Sequence, residues 1–153
     1  MTVELVWDGD LRFSADSGRT TVLFDSDGAM GPSPVQALVE SLGACMGMDL
    51  VHFLGRSRVP ADKVTLTLVA HRAADHPRRL TAVELHADIH GTIDDDVVAR
   101  GIALSRDKYC SVWASLRPDI EFHLFVLYTD QDGKLSKPSA PLAFRLKDRF
   151  GYK

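Results

Sequence analysis

The segment from Val35 to Leu54 is apolar on nearly every side. Val35, Ala37, Leu38, Val39, Leu42, Ala44, Cys45, Met46, Met48, Leu50, Val51, Phe53 and Leu54 leave only a few polar side chains to interrupt it. A helix without a broad polar face must be buried on several sides, so this one is expected to cross the middle of the molecule or a subunit interface. Its start is well marked. Ser33 is an N-cap candidate, Pro34 takes the first helical position, and Gln36 completes an S-x-x-Q capping box. Gly43 and Gly47, one turn apart, allow a close neighbour, and Gly55 is the expected C-cap, with Arg56 and Arg58 at the negative end of the dipole. So apolar a helix does not suit the surface of a monomer, which predicts an obligate dimer that buries it.

The flanking sequence reads as strands and a second helix. Val3 to Trp7, Leu11 to Ala15 and Thr20 to Phe24 are short apolar or β-branched runs joined at Asp8-Gly9 and Ser17-Gly18. Val64, Leu66, Leu68 and Ala70 alternate with polar residues, as do Val83, Leu85, Ala87 and Ile89, so each strand has one buried and one wet face. Asp94, Asp95 and Asp96 open a second helix whose apolar stripe runs from Val97 through Tyr109, Cys110 and Trp113 to Leu116, before Pro118. Ile120 to Thr129 is a last strand. The order β-β-β-α-β-β-α-β is an α+β pattern, most simply one sheet covered on one face by helix. Residues 1–130 form the expected domain. Residues 131–153 read as a C-terminal extension or arm, in which the alternation of Leu142, Phe144 and Leu146 could add a strand.

Composition removes several classes of function. Lys and Arg number 18 against 21 Asp and Glu, a net charge of −3, which gives no global attraction to nucleic acid or anionic membrane. Asp49 and His52 interrupt the best apolar run, so no membrane insertion is expected. Met1 to Asp10 carries acids and no basic region, unlike a secretory signal, and the expected location is cytoplasmic. His86, Asp88 and His90 share a strand face, but alternation on a wet face predicts the same pattern, and no metal site or other cofactor is expected. No phosphate-binding glycine loop and no GxSxG elbow occurs.

Two cysteines, Cys45 and Cys110, are too few for a disulfide scaffold and lack metal-finger spacing. On composition alone they read as buried apolar thiols. Each, however, stands in a distinctive setting: Gly31-Pro32-Ser33-Pro34-Val35-Gln36 leading to Leu42-Gly43-Ala44-Cys45-Met46, and Leu104-Ser105-Arg106-Asp107-Lys108-Tyr109-Cys110-Ser111. This pair of motifs, with the strand order around it, resembles the OsmC/Ohr family over roughly Val3 to Thr129, nearer the general OsmC-like branch than Ohr proper. The resemblance implies an OsmC-like fold of antiparallel sheets with two helices per chain, the central helix buried in an intertwined homodimer. It also implies a thiol peroxidase of the organic hydroperoxide reductase type, acting in the oxidative stress response. Cys45 would attack the O–O bond of an organic hydroperoxide and become a sulfenate, Cys110 would resolve it to a disulfide, and a dithiol reductant would restore both thiols.

The pattern departs from Ohr in two places. Val35 stands where Ohr proteins carry Glu, and the first hairpin, Trp7-Asp8-Gly9-Asp10-Leu11, has no Arg. At a pKa near 8.5 only about 3% of a thiol is ionised at pH 7, and a pKa of about 6 raises that roughly thirtyfold. Cys45 lies about three turns into its helix, too deep for the dipole to help much. Arg72, at a strand end, is the candidate cation; a rim charge is the other reading of it. Asp49, one turn after Cys45 on the same face, would push the thiol pKa up unless it pairs with Arg72; its other reading is a helix acid that faces solvent or caps a neighbour. Gln36 is a further candidate at the thiolate, though the capping box explains it as well, and Glu40 reads as an exposed helix acid. Tyr109 and Trp113 could line an apolar entrance or belong to the core. Two other functions remain open: a non-catalytic dimeric binding module for a small apolar or electrophilic ligand, and a thiol–disulfide or thioester exchange enzyme.

Overall fold

The computed structural model describes residues 1–91, 93–129 and 142–144. The chain falls into two compact units, residues 1–41 and 42–153, and a 23-residue helix, α1 (Pro34–Arg56), runs from the first into the second.

The first unit is a three-stranded antiparallel meander of β1 (Glu4–Trp7), β2 (Arg12–Asp16) and β3 (Thr21–Asp25). Gly9 and Gly18 turn its hairpins with φ of +95° and +79°, a region glycine enters without steric cost. Asp25 ties down the following loop. Its carboxylate accepts the Asp27 and Met30 N–H groups, each at 3.1 Å. The Asp27 bond is the main reason that its pKa lies below the usual carboxylate value. Leu5, Leu11, Phe13, Phe24, Asp25, Ser26 and Pro34 line a cleft of about 240 Å³. Leu5, Trp7 and Leu11 are exposed.

The second unit holds a four-stranded sheet in the order β4 (Lys63–Arg72), β5 (Leu80–His90), β6 (Glu121–Thr129), β7 (Leu142–Phe144). The chain therefore forms two sheets, as the family resemblance implies, rather than the single sheet that the element order alone most simply suggests. One pairing is also parallel: β5 and β6 run together, Val83 opposite Phe122 and Ala87 opposite Val126. A helical crossover connects them, which is what a parallel pair requires. The remaining neighbours, β4–β5 and β6–β7, are antiparallel. The period-2 reading holds on β5, where Val83, Leu85, Ala87 and Ile89 are buried. β7 lies in the segment read as an arm; the rest of 131–153 lies outside the described residues.

α1 is buried along Leu42, Gly43, Met46, Leu50 and Leu54. In the single chain its other side is open, with Met48 and Val51 exposed by 73% and 54%. By length and mean hydropathy (1.4) α1 does reach what a membrane crossing requires, so Asp49 and His52 do not exclude it on that score. Gly43 and Gly47 admit β4: a Cβ on either would lie 2.7 Å from Leu68 Cδ1 or 2.9 Å from Leu66 Cδ1. The helix runs past Gly55 to Arg56, and the chain turns away at Arg58, which takes φ +61°. The Val59 N–H then bonds Leu54 O and the Arg58 N–H bonds Gly55 O, the two bonds of a Schellman motif.

The second helix is not continuous. It comprises α2 (Asp95–Leu104), a π-helical turn (Ser105–Tyr109) and α3 (Ser111–Ala114). α2 packs on α1 at Gly101, where a Cβ would lie 2.8 Å from Phe53 Cδ1 and 2.9 Å from Leu50 Cδ1. Gly101→Ala should therefore destabilise the protein. Overpacking costs about 1–3 kcal/mol, against a helix-propensity gain of about 1 kcal/mol. A thermal melt should fall by a few degrees, and an unchanged or raised midpoint would contradict this packing.

Candidate active site: two thiols between the helices

Cys45 sits on α1, one turn before Asp49, so the two share a helix face. It is partly exposed, whereas Cys110 is 2% exposed; both are free thiols. Their side chains are close enough for Cys45 to contribute to the raised pKa of Cys110.

Cys110 reaches this position because the helix that carries it breaks there. Its N–H bonds Ser105 O at 2.7 Å, an i→i−5 bond that closes the π turn. The backbone then leaves the helix at φ −69°, ψ 98°, and Cys110 becomes the N-cap of α3, its Sγ accepting the Trp113 N–H at 3.3 Å. The expectation that Cys110 lies within a helix is corrected accordingly. The Cys110 thiol is pushed up to about 12, chiefly by burial and next by its interaction with Cys45, with the Trp113 N–H acting the other way. At neutral pH it is therefore protonated.

The other residues singled out from the sequence divide. Asp49 joins the cluster: Ser105 Oγ donates to its Oδ2 at 2.6 Å, and Ser105 is fully buried. It does not make the suggested pairing with Arg72. Arg72 ends β4, four residues beyond the Leu68 that meets Gly43, and its Nε donates to Arg78 O at 2.7 Å. Gln36 offers only half of the capping box. Its N–H lies 3.4 Å from Ser33 Oγ, while its side chain donates to the exposed Glu40 instead of turning back. Trp113 is core, 1% exposed and edge-on to Phe122 at 5.1 Å, and Tyr109 is 58% exposed.

Two features escaped the sequence reading. Ser105 was passed over because a serine inside an apolar stripe carries no signal of burial. On the outer sheet face Glu84 links two histidines, His71 Nε2 at 3.0 Å and His86 Nε2 at 3.3 Å. These bonds hold its carboxyl below the usual range. Only the β4–β5 register brings His71 to Glu84. Among the described residues, no three or more His, Cys, Asp or Glu side chains are grouped to hold a metal ion.

A mixed α+β chain that sets two reduced cysteines against each other, one from the central helix and one from a broken crossover helix, is a two-thiol protein. The family model described as OsmC-like protein matches residues 25–125. Protein YhfA of Escherichia coli K12 is 30% identical over 115 residues, covering 73% of this chain and 86% of that protein. A hypothetical protein from Aquifex aeolicus superposes with a TM-score of 0.73 at 25% identity, covering 83% and 96% of the two chains. The organic hydroperoxide resistance protein OhrB of Bacillus subtilis has the same fold, with a TM-score of 0.60 at 16% identity and coverage of 82% and 98%. The chain belongs to the OsmC-like family.

The placement of Cys110 makes a chemical prediction. A thiol with a pKa of about 12 stays protonated through pH 7–9 and ionises only as the pH climbs toward that value. In a Cys45→Ser variant, where burial, the largest cause of the shift, remains, Cys110 should react with iodoacetamide at pH 8 at least about tenfold more slowly than a free thiol of pKa near 8.5. Equal rates would show that the thiol is not buried as described.

Proposed function

We propose that the protein is a thiol peroxidase that reduces organic hydroperoxides, with Cys45 as nucleophile and Cys110 as resolving thiol. The observation that carries this reading is a partly exposed Cys45 close enough to a buried, protonated Cys110 for the two thiols to interact. The Cys45 thiolate attacks the terminal oxygen of ROOH, the O–O bond breaks, and the alkoxide takes a proton and leaves as ROH. Cys45 is then a sulfenic acid. The Cys110 sulfur displaces its hydroxyl, the thiol proton departs with it as water, and a disulfide forms. An external dithiol returns two electrons and two protons, restoring both thiols.

The raised Cys110 pKa keeps that sulfur a neutral thiol at neutral pH, so that it does not compete with Cys45 as the nucleophile. Arg72 and Gln36 remain proposed influences on the Cys45 thiolate that act from outside the contacts described for it. Asp49 acts through Ser105.

Membership of a family whose proteins are generally homodimers supports a second copy as the cover for the open side of α1 around Met48 and Val51. An intertwined dimer in the cytoplasm, engaged in the response to organic peroxides, is the setting this function needs. The apolar cleft of about 240 Å³ in the first unit favours a second reading, a dimeric module that binds a small apolar ligand without turnover.

The test is turnover with cumene hydroperoxide and a dithiol. Cys45→Ser should lose at least about 100-fold in rate. Cys110→Ser should consume one equivalent of peroxide rapidly and hold a Cys45 sulfenate that dimedone traps. Normal turnover by either variant would refute the two-cysteine scheme, and an inert wild-type protein would leave the binding module.

A further inference from the structure

The resolving cysteine is brought to Cys45 by a single register choice, and the structure shows what makes it. Along α1, Cys45 and Asp49 are one α-helical turn apart on one face. Along the crossover helix, Ser105 and Cys110 are one π-helical turn apart, closed by the 2.7 Å bond from the Cys110 N–H to Ser105 O. The two turns face each other: Ser105 Oγ donates to Asp49 at 2.6 Å, and the Cys110 thiol lies close enough to Cys45 to interact with it.

An α-helical turn in the same place would put Tyr109, not Cys110, one turn after Ser105, with Cys110 rotated by about 100° away from α1. The extra residue of the π turn exchanges them, and Tyr109 is accordingly 58% exposed while Cys110 is 2% exposed. Ser105 makes both bonds: its carbonyl closes the π turn and its hydroxyl fastens that turn to α1. It is fully buried, so a lost hydroxyl bond would not be replaced by bulk water.

We propose that Ser105 and Asp49 are positioning residues that fasten the π turn to α1 and so hold the Cys110 sulfur in attacking position on Cys45. Neither touches the reacting atoms. Their effect falls on the second chemical step, closure of the disulfide, and not on attack by Cys45. The inference rests on the two-cysteine reading proposed above and adds the residues that set its geometry.

The test uses glutathione disulfide, so that it does not depend on the identity of the peroxide. The Cys45 thiolate attacks one glutathione sulfur and expels one glutathione thiolate, leaving a mixed disulfide on Cys45. The Cys110 sulfur then attacks the Cys45 sulfur of that mixed disulfide and expels the second glutathione, which takes up the Cys110 proton. Intact mass over time separates the two steps. For Ser105→Ala, formation of the mixed disulfide should proceed within about twofold of wild type, while its closure should slow at least about tenfold, so that the glutathionylated chain accumulates. In glutathione buffers, the disulfide of that variant should be at least about tenfold less favoured, about 30 mV for this two-electron couple.

Ser105→Thr, which keeps a hydroxyl, and Asp49→Asn, which keeps an acceptor oxygen, should restore most of the closure rate. Should Ser105→Ala fail to fold, Asp49→Asn and Asp49→Ala carry the same comparison from the other side of the bond: closure retained in the first and slowed in the second. Unchanged closure in Ser105→Ala, or in Asp49→Ala, overturns the positioning role while leaving the two-cysteine reading intact. Failure of the wild-type chain to close a Cys45–Cys110 disulfide overturns both.

Discussion

Three glycines let the layers of the second unit close on α1 at van der Waals range. At Gly43 and Gly47 the leucines of β4 occupy the space that a Cβ would take, and at Gly101 the α2 backbone does the same against Leu50 and Phe53. A protein interior packed to this density has few alternative arrangements, because each displacement opens a void or forces an overlap. The consequence for the chemistry is direct. With α2 seated at Gly101, the next turn of that helix lies beside Asp49, and the turn after it lies beside Cys45.

That proximity has different consequences for the two sulfurs. Cys110 is enclosed, capped by the Trp113 N–H and raised to about 12, whereas Cys45 keeps part of its surface open. Burial penalises charge, so the buried sulfur stays a thiol and the open one is the better placed to meet an oxidant. In the proposed peroxidase cycle, Cys110 would give up its proton only after Cys45 had become a sulfenic acid, and the leaving hydroxyl would carry that proton away as water. The asymmetry of the pair would suit that order of events.

Much of this was legible in the sequence, and the reasons are particular. The hairpins at Asp8-Gly9 and Ser17-Gly18 carry turn chemistry that fixes them locally, and the alternation on β5 survives because one face is truly buried. Two tightly spaced motifs around Cys45 and Cys110 pointed to the right family. What failed was whatever depended on a single-residue offset. The buried positions Ile102, Ser105, Cys110 and Trp113 step by three, five and three. The step of five marks the π turn, but a buried serine hides it, and Tyr109 fits the α-helical rhythm well enough to mask the break. The Arg58 helix stop was missed for a similar reason: Gly55 is the residue that favours a left-handed cap, yet the chain places an arginine there three residues later. The pairing of His71 with Glu84 required a strand register that no local pattern specifies.

The central claim is that Cys45 and Cys110 of one chain form a single redox pair. The most direct measurement is a peptide map of the wild-type protein after one equivalent of organic hydroperoxide per chain, with free thiols counted before digestion. The account predicts the loss of two thiols per chain and one new peptide in which Cys45 is joined to Cys110 of the same chain. Two thiols remaining after excess peroxide, or a disulfide joining two chains, would contradict it.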